Sequence, residues 1–224
     1  MIKMAVFDMA GTTVNENNVV YKTVQKAVND AGIDASLDEV LDVGAGKEKL
    51  QAIKSVLELK NINNDKLAEE IFSRFKIMLD EAYATSEISG QPHALELFHA
   101  LKQRDVLVVL NTGYSRQVAE GLIEKLGWKK DTDFDLLVTA SDVERNRPNP
   151  DMILYAMKAF DITDAATVIK TGDSAIDIEE GRNAGCRYNI GITTGAQTYE
   201  QLKSGNPSFI INDLMELLPI VEQE

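Results

Sequence analysis

The stretch MAVFDMAGTT, residues 4–13, decides how the rest of the chain is interpreted. Four apolar residues lead up to Asp8, as in a buried strand of a parallel sheet, and a glycine and two threonines follow soon after. A carboxylate at the end of a strand can attack phosphorus or bind a metal ion. The backbone N–H groups around Gly11 and Thr12 can bind phosphate oxygens. Taken alone, Asp8 could equally end its strand for reasons of turn geometry.

Three further segments carry polar groups that suit the same chemistry. They are NTGYSR at 111–116, RPNP at 147–150 and GDSAID at 172–177. The first follows the apolar run 106–110, and the last closes the strand-like run 167–170. Because open α/β sheets place their active sites at the carboxyl ends of parallel strands, we expect these segments to share one site. A carboxylate, a hydroxyl, a cation and a carboxylate pair suit a metal-assisted attack on phosphorus.

Each of these groups has a chemical and a structural explanation. Thr112 with Gly113 could bind a phosphate oxygen, and Arg147 could neutralise its charge. Asp173 and Asp177 stand four residues apart at a predicted strand-to-helix junction, so both could face one hard cation such as Mg²⁺. Acidic residues are also favoured at helix N-termini without any metal. The occurrence of all four segments in this order favours the phosphoryl-transfer interpretation.

Composition narrows the class of partner. The chain has 224 residues and a net charge of −13, which argues against nucleic acid or anionic lipid as a partner. No apolar run approaches the roughly 20 residues of a membrane helix, and the N-terminus leads directly into a strand without a signal peptide. The single cysteine, Cys186, cannot form an internal disulfide, so we expect a cytoplasmic protein. A small phosphorylated molecule would depend on local cations and a bound metal.

The chain divides into two regions by periodicity. From residue 86 onward, strand-like and helix-like segments alternate, which predicts an α/β fold with a parallel sheet. Residues 15–85 show only helical periodicity and no strand pattern. We therefore predict a catalytic core formed by residues 1–14 and 86–224, with a helical cap domain of residues 15–85 inserted after the first strand.

The four segments together resemble the haloacid dehalogenase superfamily of aspartate-nucleophile phosphohydrolases, and most of all its phosphonatase-like branch. The resemblance implies a Rossmann-like core with a cap that closes over it. It also implies that Asp8 is the nucleophile that forms an aspartyl-phosphate, that Thr112 holds the phosphoryl group and that Arg147 balances its charge. By the same resemblance, Asp8 and Asp173 bind Mg²⁺, with Asp177 nearby or acting through water. A homodimer is compatible with the resemblance.

Ala10 distinguishes subfamilies within this resemblance. Phosphatases of the superfamily usually carry a second aspartate two residues after the nucleophile, which protonates the leaving alkoxide. Alanine cannot supply a proton, and its backbone carbonyl can only contribute to the metal site. Loss of a general acid costs roughly 10²–10⁴ in rate. Phosphonatases share the alanine, because their leaving group is a carbon whose charge a lysine imine delocalises.

The predicted cap contains a lysine that suits this role. Lys47 ends the segment Gly44–Lys47, whose Gly-x-x-Lys spacing resembles the phosphonatase loop that delivers the imine-forming lysine. To react near neutral pH it must lose its proton, through burial or through a neighbouring cation such as Lys49. Leu50 stands where phosphonatases have a histidine. Lys47 could alternatively bind the anionic end of a substrate, or be a solvated residue at a helix start.

We therefore interpret the chain as a Mg²⁺-dependent hydrolase that releases phosphate from a small phosphonate or phosphorylated metabolite. A phosphate-ester phosphatase without imine chemistry is the first alternative. A phosphomutase and a non-catalytic binding module are the others, and the intact set of Asp8, Thr112, Arg147, Asp173 and Asp177 argues against the last.

Overall fold

The computed structural model describes residues 1–223, which form a parallel sheet with helices on both faces. The strands are β1 (Met4–Asp8), β2 (Val14–Asn15), β3 (Ser89–Gly90), β4 (Leu107–Thr112), β5 (Leu136–Thr139), β6 (Val168–Gly172), β7 (Tyr188–Ile192) and β8 (Phe209–Ile211). The helices are α1 (Val19–Asp30), α2 (Leu37–Gly44), α3 (Lys49–Leu59), α4 (Asp65–Thr85), α5 (Ala94–Lys102), α6 (Arg116–Leu126), α7 (Asp151–Ala159), α8 (Ala175–Ala184), α9 (Tyr199–Ser204) and α10 (Leu217–Val221). The predicted α/β class is confirmed.

The main sheet has the strand order β5-β4-β1-β6-β7-β8, and all of its strands are parallel. The first strand lies inside the sheet, between β4 and β6. In register, Asp8 pairs with Asn111, and Phe7 pairs with Leu110 and Thr171. This register brings the ends of three strands, and the loops that follow them, to one edge of the sheet.

Side chains of β1 alternate between two hydrophobic cores. Phe7 belongs to the core that α5 covers, where its ring centroid lies 5.5 Å from that of Phe98. Met4 and Val6 belong to the opposite core, together with Met152 of α7. Helices on both faces bury the whole strand, which explains why its sequence is continuously apolar rather than alternating.

Local capping fixes the ends of two core helices. The Ser115 hydroxyl accepts a hydrogen bond from the Val118 N–H at 3.4 Å and begins α6. Gly185 ends α8 in the left-handed conformation, with φ of +80°. These polar loop residues fix where each helix starts or stops, and so they fix the loops that face the site.

Helices α1–α4 occupy residues 19–85 and pack on one another. This is the region in which the sequence predicts a cap domain, and the boundaries at 15 and 85 stay a prediction. The short strands β2 and β3, which the sequence did not predict, pair in antiparallel fashion where the chain leaves the core and returns to it. Two residues are too few for a periodic pattern. None of the helices within residues 1–223 combines the length and apolar character needed to cross a bilayer.

Candidate active site

The loop after β1 packs tightly against the loop after β6. Gly11 has φ of +84°, and a Cβ at this position would collide with the Asp173 carboxylate. A side chain is therefore excluded on both conformational and steric grounds. The Thr13 hydroxyl closes the turn by donating to the Asp8 carbonyl at 3.0 Å. The Thr12 hydroxyl is buried and has no hydrogen-bond partner among the described residues.

Arg147 is the cation at the centre of the site. Its side chain is 1% exposed, and its Nη1 lies 2.7 Å from Asp8 Oδ1 and 3.0 Å from Asp177 Oδ1. Its Nε lies 2.9 Å from Glu180 Oε2. Its Nη2 donates to the side-chain oxygen of Asn111 at 2.8 Å. The guanidinium therefore holds the Asp8 carboxylate from a fully buried position, and its predicted role toward a phosphoryl group stays a prediction.

A second buried cation supports this arrangement. Lys170 points inward from β6, with its Nζ 2.9 Å from Asp177 Oδ1 and 3.3 Å from Glu180 Oε2. It also donates to Asn111 Oδ1 at 2.6 Å, and Asn111 Nδ2 donates to Glu180 at 3.0 Å. The sequence analysis did not identify Lys170, Asn111 or Glu180 as site residues. The position of Lys170 in a predicted buried strand could have indicated a site, because a buried charge needs charged or polar partners around it.

The carboxylates of the site have opposite protonation tendencies. Burial and the negative charges of Asp8 and Asp177 raise the pKa of Asp173 well above its usual value. Burial likewise raises the pKa of Asp8, against the opposing charge of Arg147. For Asp177, burial acts in the same direction, but Arg147 and Lys170 lower the pKa overall. Asp8 and Asp173 therefore form the pair whose mutual repulsion a cation would relieve.

Asp177 and Asp173, both predicted near the metal, differ in the partners that their carboxylate oxygens already have. Asp177 Oδ1 lies against Arg147 and Lys170, and its Oδ2 accepts a hydrogen bond from the Ser174 hydroxyl. Asp173 Oδ2 accepts only a backbone N–H, that of Ala196, at 2.6 Å. Within residues 1–223, no group of three or more acidic, histidine or cysteine side chains is arranged to bind a metal.

Asp8 and Asp173 nonetheless fit Mg²⁺. They are two buried carboxylates that repel each other, and carboxylate oxygens are the ligands that this ion prefers. Ala10, whose backbone carbonyl is the third predicted ligand, lies in the same loop as Gly11. These residues supply oxygen donors only, and Mg²⁺ commonly completes its coordination with waters and substrate phosphate.

The loop after β4 meets the region predicted as the cap. Thr112 is 2% exposed, and its hydroxyl accepts a hydrogen bond from the Tyr114 N–H at 3.2 Å. A Cβ on Gly113 would lie 3.1 Å from the Lys47 carbonyl, so this glycine allows the two backbones to approach closely. On the other side, Gly46 packs against Ser174 so closely that a Cβ there would collide with its hydroxyl. The loop at 44–47 therefore lies directly on the catalytic loops.

The two cap lysines point in different directions. Lys47 donates from its Nζ to the Ser55 hydroxyl at 2.8 Å, and burial lowers its pKa while Glu58 opposes the shift. Lys49 is 7% exposed, and its Nζ donates to the Lys47 carbonyl at 2.7 Å. Burial lowers the pKa of Lys49, and the negative charge of Asp8 is the largest opposing influence. The Lys49 amine thus lies against the loop at 44–47 and beside the ring of Tyr114, whereas the Lys47 amine lies on α3.

A buried carboxylic acid links the two connections between core and cap. Glu16 Oε2 accepts hydrogen bonds from the Tyr83 hydroxyl at 2.9 Å and from the Val20 N–H at 3.0 Å. The Tyr83 hydroxyl also lies 2.9 Å from the Tyr114 hydroxyl. Burial raises the pKa of Glu16 to about 7. Nothing local in the sequence indicates that Glu16 is buried.

A cavity of about 500 Å³ opens beside Lys49. Its lining includes Lys49, Phe75, Leu79, Gly113, Ser115 and Asn146. Asp8 is not among the lining residues, whereas Gly113 directly follows Thr112 in the catalytic loop. The cavity is therefore lined by residues of α3 and α4 and of the loop after β4.

The chain matches the family model described as haloacid dehalogenase-like hydrolase over residues 5–191. It is 31% identical to the phosphonoacetaldehyde hydrolase of Latilactobacillus sakei over 82% of this chain and 73% of that one. It is 28% identical to the phosphoglycolate phosphatase of Vibrio parahaemolyticus over 98% of this chain and 96% of that one.

A longer relative is the bifunctional phosphonoacetaldehyde hydrolase/aminoethylphosphonate transaminase of Clostridioides difficile, which is 30% identical over 87% of this chain. The chain spans only 32% of the length of that protein. Among solved structures, the phosphonoacetaldehyde hydrolase-like protein of Oleispira antarctica superposes with a TM-score of 0.86 at 20% identity, over 99% of this chain and 91% of that one. This likeness confirms the fold, and the family model establishes that the chain belongs to the haloacid dehalogenase-like hydrolases.

Proposed function

We propose that this hydrolase uses Mg²⁺ to release phosphate from a small phosphonate or phosphorylated metabolite, through an aspartyl-phosphate on Asp8. One observation carries the proposal most directly. The Asp8 carboxylate lies at the end of the central strand, 2.7 Å from a fully buried arginine and beside a glycine loop with an unpartnered threonine hydroxyl. A carboxylate that served only to end a strand would have no need of this environment.

The first chemical step forms a bond between an Asp8 carboxylate oxygen and phosphorus. The bond between phosphorus and the leaving group breaks, and its electron pair departs with the leaving group. Arg147 orients Asp8 by holding Oδ1, and the Thr12 hydroxyl, which has no partner among the described residues, would bind a phosphoryl oxygen. The backbone N–H groups of Gly11 and Thr12 already donate to the Val14 and Met9 carbonyls, at 2.8 Å and 3.1 Å. Water then attacks phosphorus, phosphate leaves, and the Asp8 carboxylate is restored.

Mg²⁺ would be held by Asp8, Asp173 and the Ala10 carbonyl, and when bound it would offset negative charge on the phosphoryl oxygens. Asp177 keeps a different role. It is engaged by Arg147 and Lys170, and so it stabilises the two cations that surround the nucleophile.

Two leaving groups are compatible with this mechanism, the carbon of a phosphonate and the alkoxide of a phosphate ester. Ala10 provides no proton donor, which favours a phosphonate whose carbon leaving group is stabilised by an imine. The Lys47 amine, which would have to form this imine, is hydrogen-bonded to Ser55 on α3. This position favours the alternative of phosphate-ester hydrolysis without an imine. The similarity to a phosphoglycolate phosphatase supports that alternative. We further propose that the substrate is a small molecule rather than nucleic acid or a membrane. We also propose that the protein forms a homodimer and is cytoplasmic.

A hydrolysis screen tests the proposal. Purified protein is incubated with phosphonoacetaldehyde, phosphoglycolate and simple phosphate esters, with Mg²⁺ or with excess chelator, and released phosphate is measured. We expect phosphate release that requires Mg²⁺ and is lost in Asp8→Asn. Release that continues in chelator would contradict the metal proposal, and a fully active Asp8→Asn variant would contradict the nucleophile.

Borohydride separates the two leaving-group chemistries. If Lys47 forms an imine with phosphonoacetaldehyde, reduction should inactivate the enzyme and attach substrate mass to the peptide that carries Lys47. If no adduct forms and Lys47→Arg stays active, the ester-phosphatase alternative is the better description.

A further inference from the structure

Lys49 is the cap lysine whose position suits contact with substrate. Building on the function proposed above, we propose that Lys49, and not Lys47, binds the end of the substrate remote from phosphorus, through a carboxylate or carbonyl oxygen. The substrate class is then a small phosphonate or phosphate ester that carries such an oxygen, rather than one with a purely apolar leaving group.

The first support comes from where the two amines point. The Lys47 amine is bound to Ser55 on α3, and the carboxylate that influences it is Glu58 of the same helix. The Lys49 amine lies under the loop at 44–47, and among carboxylates Asp8 of the core influences it most. Two lysines that are only two residues apart therefore have different surroundings, and it is the Lys49 amine that lies beside a residue of the core loop after β4, Tyr114.

The second support is an aromatic enclosure that fixes the Lys49 ammonium. Its Nζ lies 5.2 Å from the centroid of the Tyr21 ring and 5.3 Å from that of Tyr114. The Tyr21 hydroxyl accepts a hydrogen bond from the Gly46 N–H at 2.9 Å. The Tyr114 hydroxyl is held by Tyr83 at 2.9 Å. The faces of both rings attract a cation, and both rings are themselves anchored, so the ammonium is held in place before any ligand arrives.

The third support is incomplete charge compensation. Lys49 is buried, yet its hydrogen bond among the described residues is to a neutral carbonyl, that of Lys47. An ammonium has three donors, and among the described residues this one makes no salt bridge, although the charges of Asp8, Glu48 and Glu16 act on it from farther away. A bound oxygen anion or carbonyl dipole would supply the missing partner. A ligand with this chemistry therefore gains affinity from a cation that is already desolvated.

The cavity supplies room for such a ligand end. Lys49 lines it together with Gly113 and Asn146. Phe75 and Leu79 line the cavity from α4 and give it an apolar wall. The ligand is thus expected to place its phosphoryl group at Asp8 and its second polar group at Lys49.

Isothermal titration with two matched ligands tests this assignment independently of turnover. Phosphonoacetate carries the carboxylate, ethylphosphonate lacks it, and both are titrated in Mg²⁺ into the wild type and the lysine variants. We expect the wild type to prefer phosphonoacetate, and Lys49→Met to reduce that preference by about 10- to 100-fold, the value of one hydrogen bond to a charged group. Lys47→Met is expected to keep the preference. Lys54→Met, which removes a charge on α3 that pairs with Asp65 at 2.6 Å, is the matched control.

Three results would overturn the assignment: an unchanged preference in Lys49→Met, loss of the preference in Lys47→Met, or no preference in the wild type. If Lys49→Met does not fold, as judged by circular dichroism, Lys49→Gln replaces it, because glutamine can still donate to the Lys47 carbonyl. The same criterion then applies. Failure of the hydrolysis screen would contradict the proposed function alone, because these titrations measure binding and not phosphate release.

Discussion

Replacing Glu16 with glutamine is expected to remove one cause of instability at high pH. In the wild type, the free energy of unfolding should fall as pH rises and the buried Glu16 side chain loses its proton. Burial raises the pKa of Glu16 from its ordinary value of 4.5 to about 7, although the Tyr83 and Val20 hydrogen bonds oppose the shift. The folded protein therefore binds the proton more tightly than the unfolded chain. Stability is lost as pH rises from about 4.5 to about 7, and the full difference corresponds to about 3 kcal/mol in the free energy of unfolding.

Glutamine keeps the shape of the side chain and does not titrate. The free energy of unfolding of Glu16→Gln minus that of the wild type should therefore increase by about 2.5 kcal/mol between pH 5 and pH 8. Chemical denaturation in chelator at several pH values measures this difference, with Glu69→Gln, an exposed change on α4, as the control. A difference between Glu16→Gln and wild type that stays constant within about 0.5 kcal/mol over this range would refute the reasoning, since the shift predicts several times more.

Two further changes probe the centre of the site. Arg147→Met should lower the free energy of unfolding by about 3–5 kcal/mol, because it leaves buried carboxylates without their cation, and Arg147→Lys should lower it less. Chemical denaturation in chelator measures the free energy of unfolding of both variants. An unchanged value for Arg147→Met would contradict the role assigned to the guanidinium. Ala10→Asp should raise the turnover of simple phosphate esters by about 10-fold or more in a phosphate-release assay, because it restores a general acid. No gain in a folded variant that still binds Mg²⁺ would mean that another group already donates the proton.

The sequence predicted the fold well because the relevant signals are local. A continuous apolar run such as Met4–Phe7 reports burial on both faces of a sheet, and Ser115 and Gly185 mark helix ends through hydrogen bonds and backbone conformation within a few residues. The β2–β3 pair was missed, since each strand has two residues and their pairing joins positions far apart in the chain.

The site was predicted less completely, because its supporting contacts are between distant segments. Glu16 had no predicted role, and its hydroxyl partner, Tyr83 near the end of α4, lies 67 residues farther along the chain. Lys49 was considered only as a neighbour of Lys47, because spacing along the chain does not reveal which amine lies beside Tyr114 of the core. Lys170 was assigned to a strand without a role, although its charge in a buried strand was a usable signal.

Phosphorylation of Asp8 is the most direct test of the account. Enzyme turning over its best substrate from the screen, with Mg²⁺, is quenched in acid, digested and analysed by mass spectrometry. The account predicts that the peptide carrying Asp8 gains the mass of one phosphoryl group, and that the gain is absent in Asp8→Asn and in chelator. Steady phosphate release with no phosphorylated form of this peptide, or with the phosphoryl group on another residue, would contradict the assignment of Asp8 as the nucleophile.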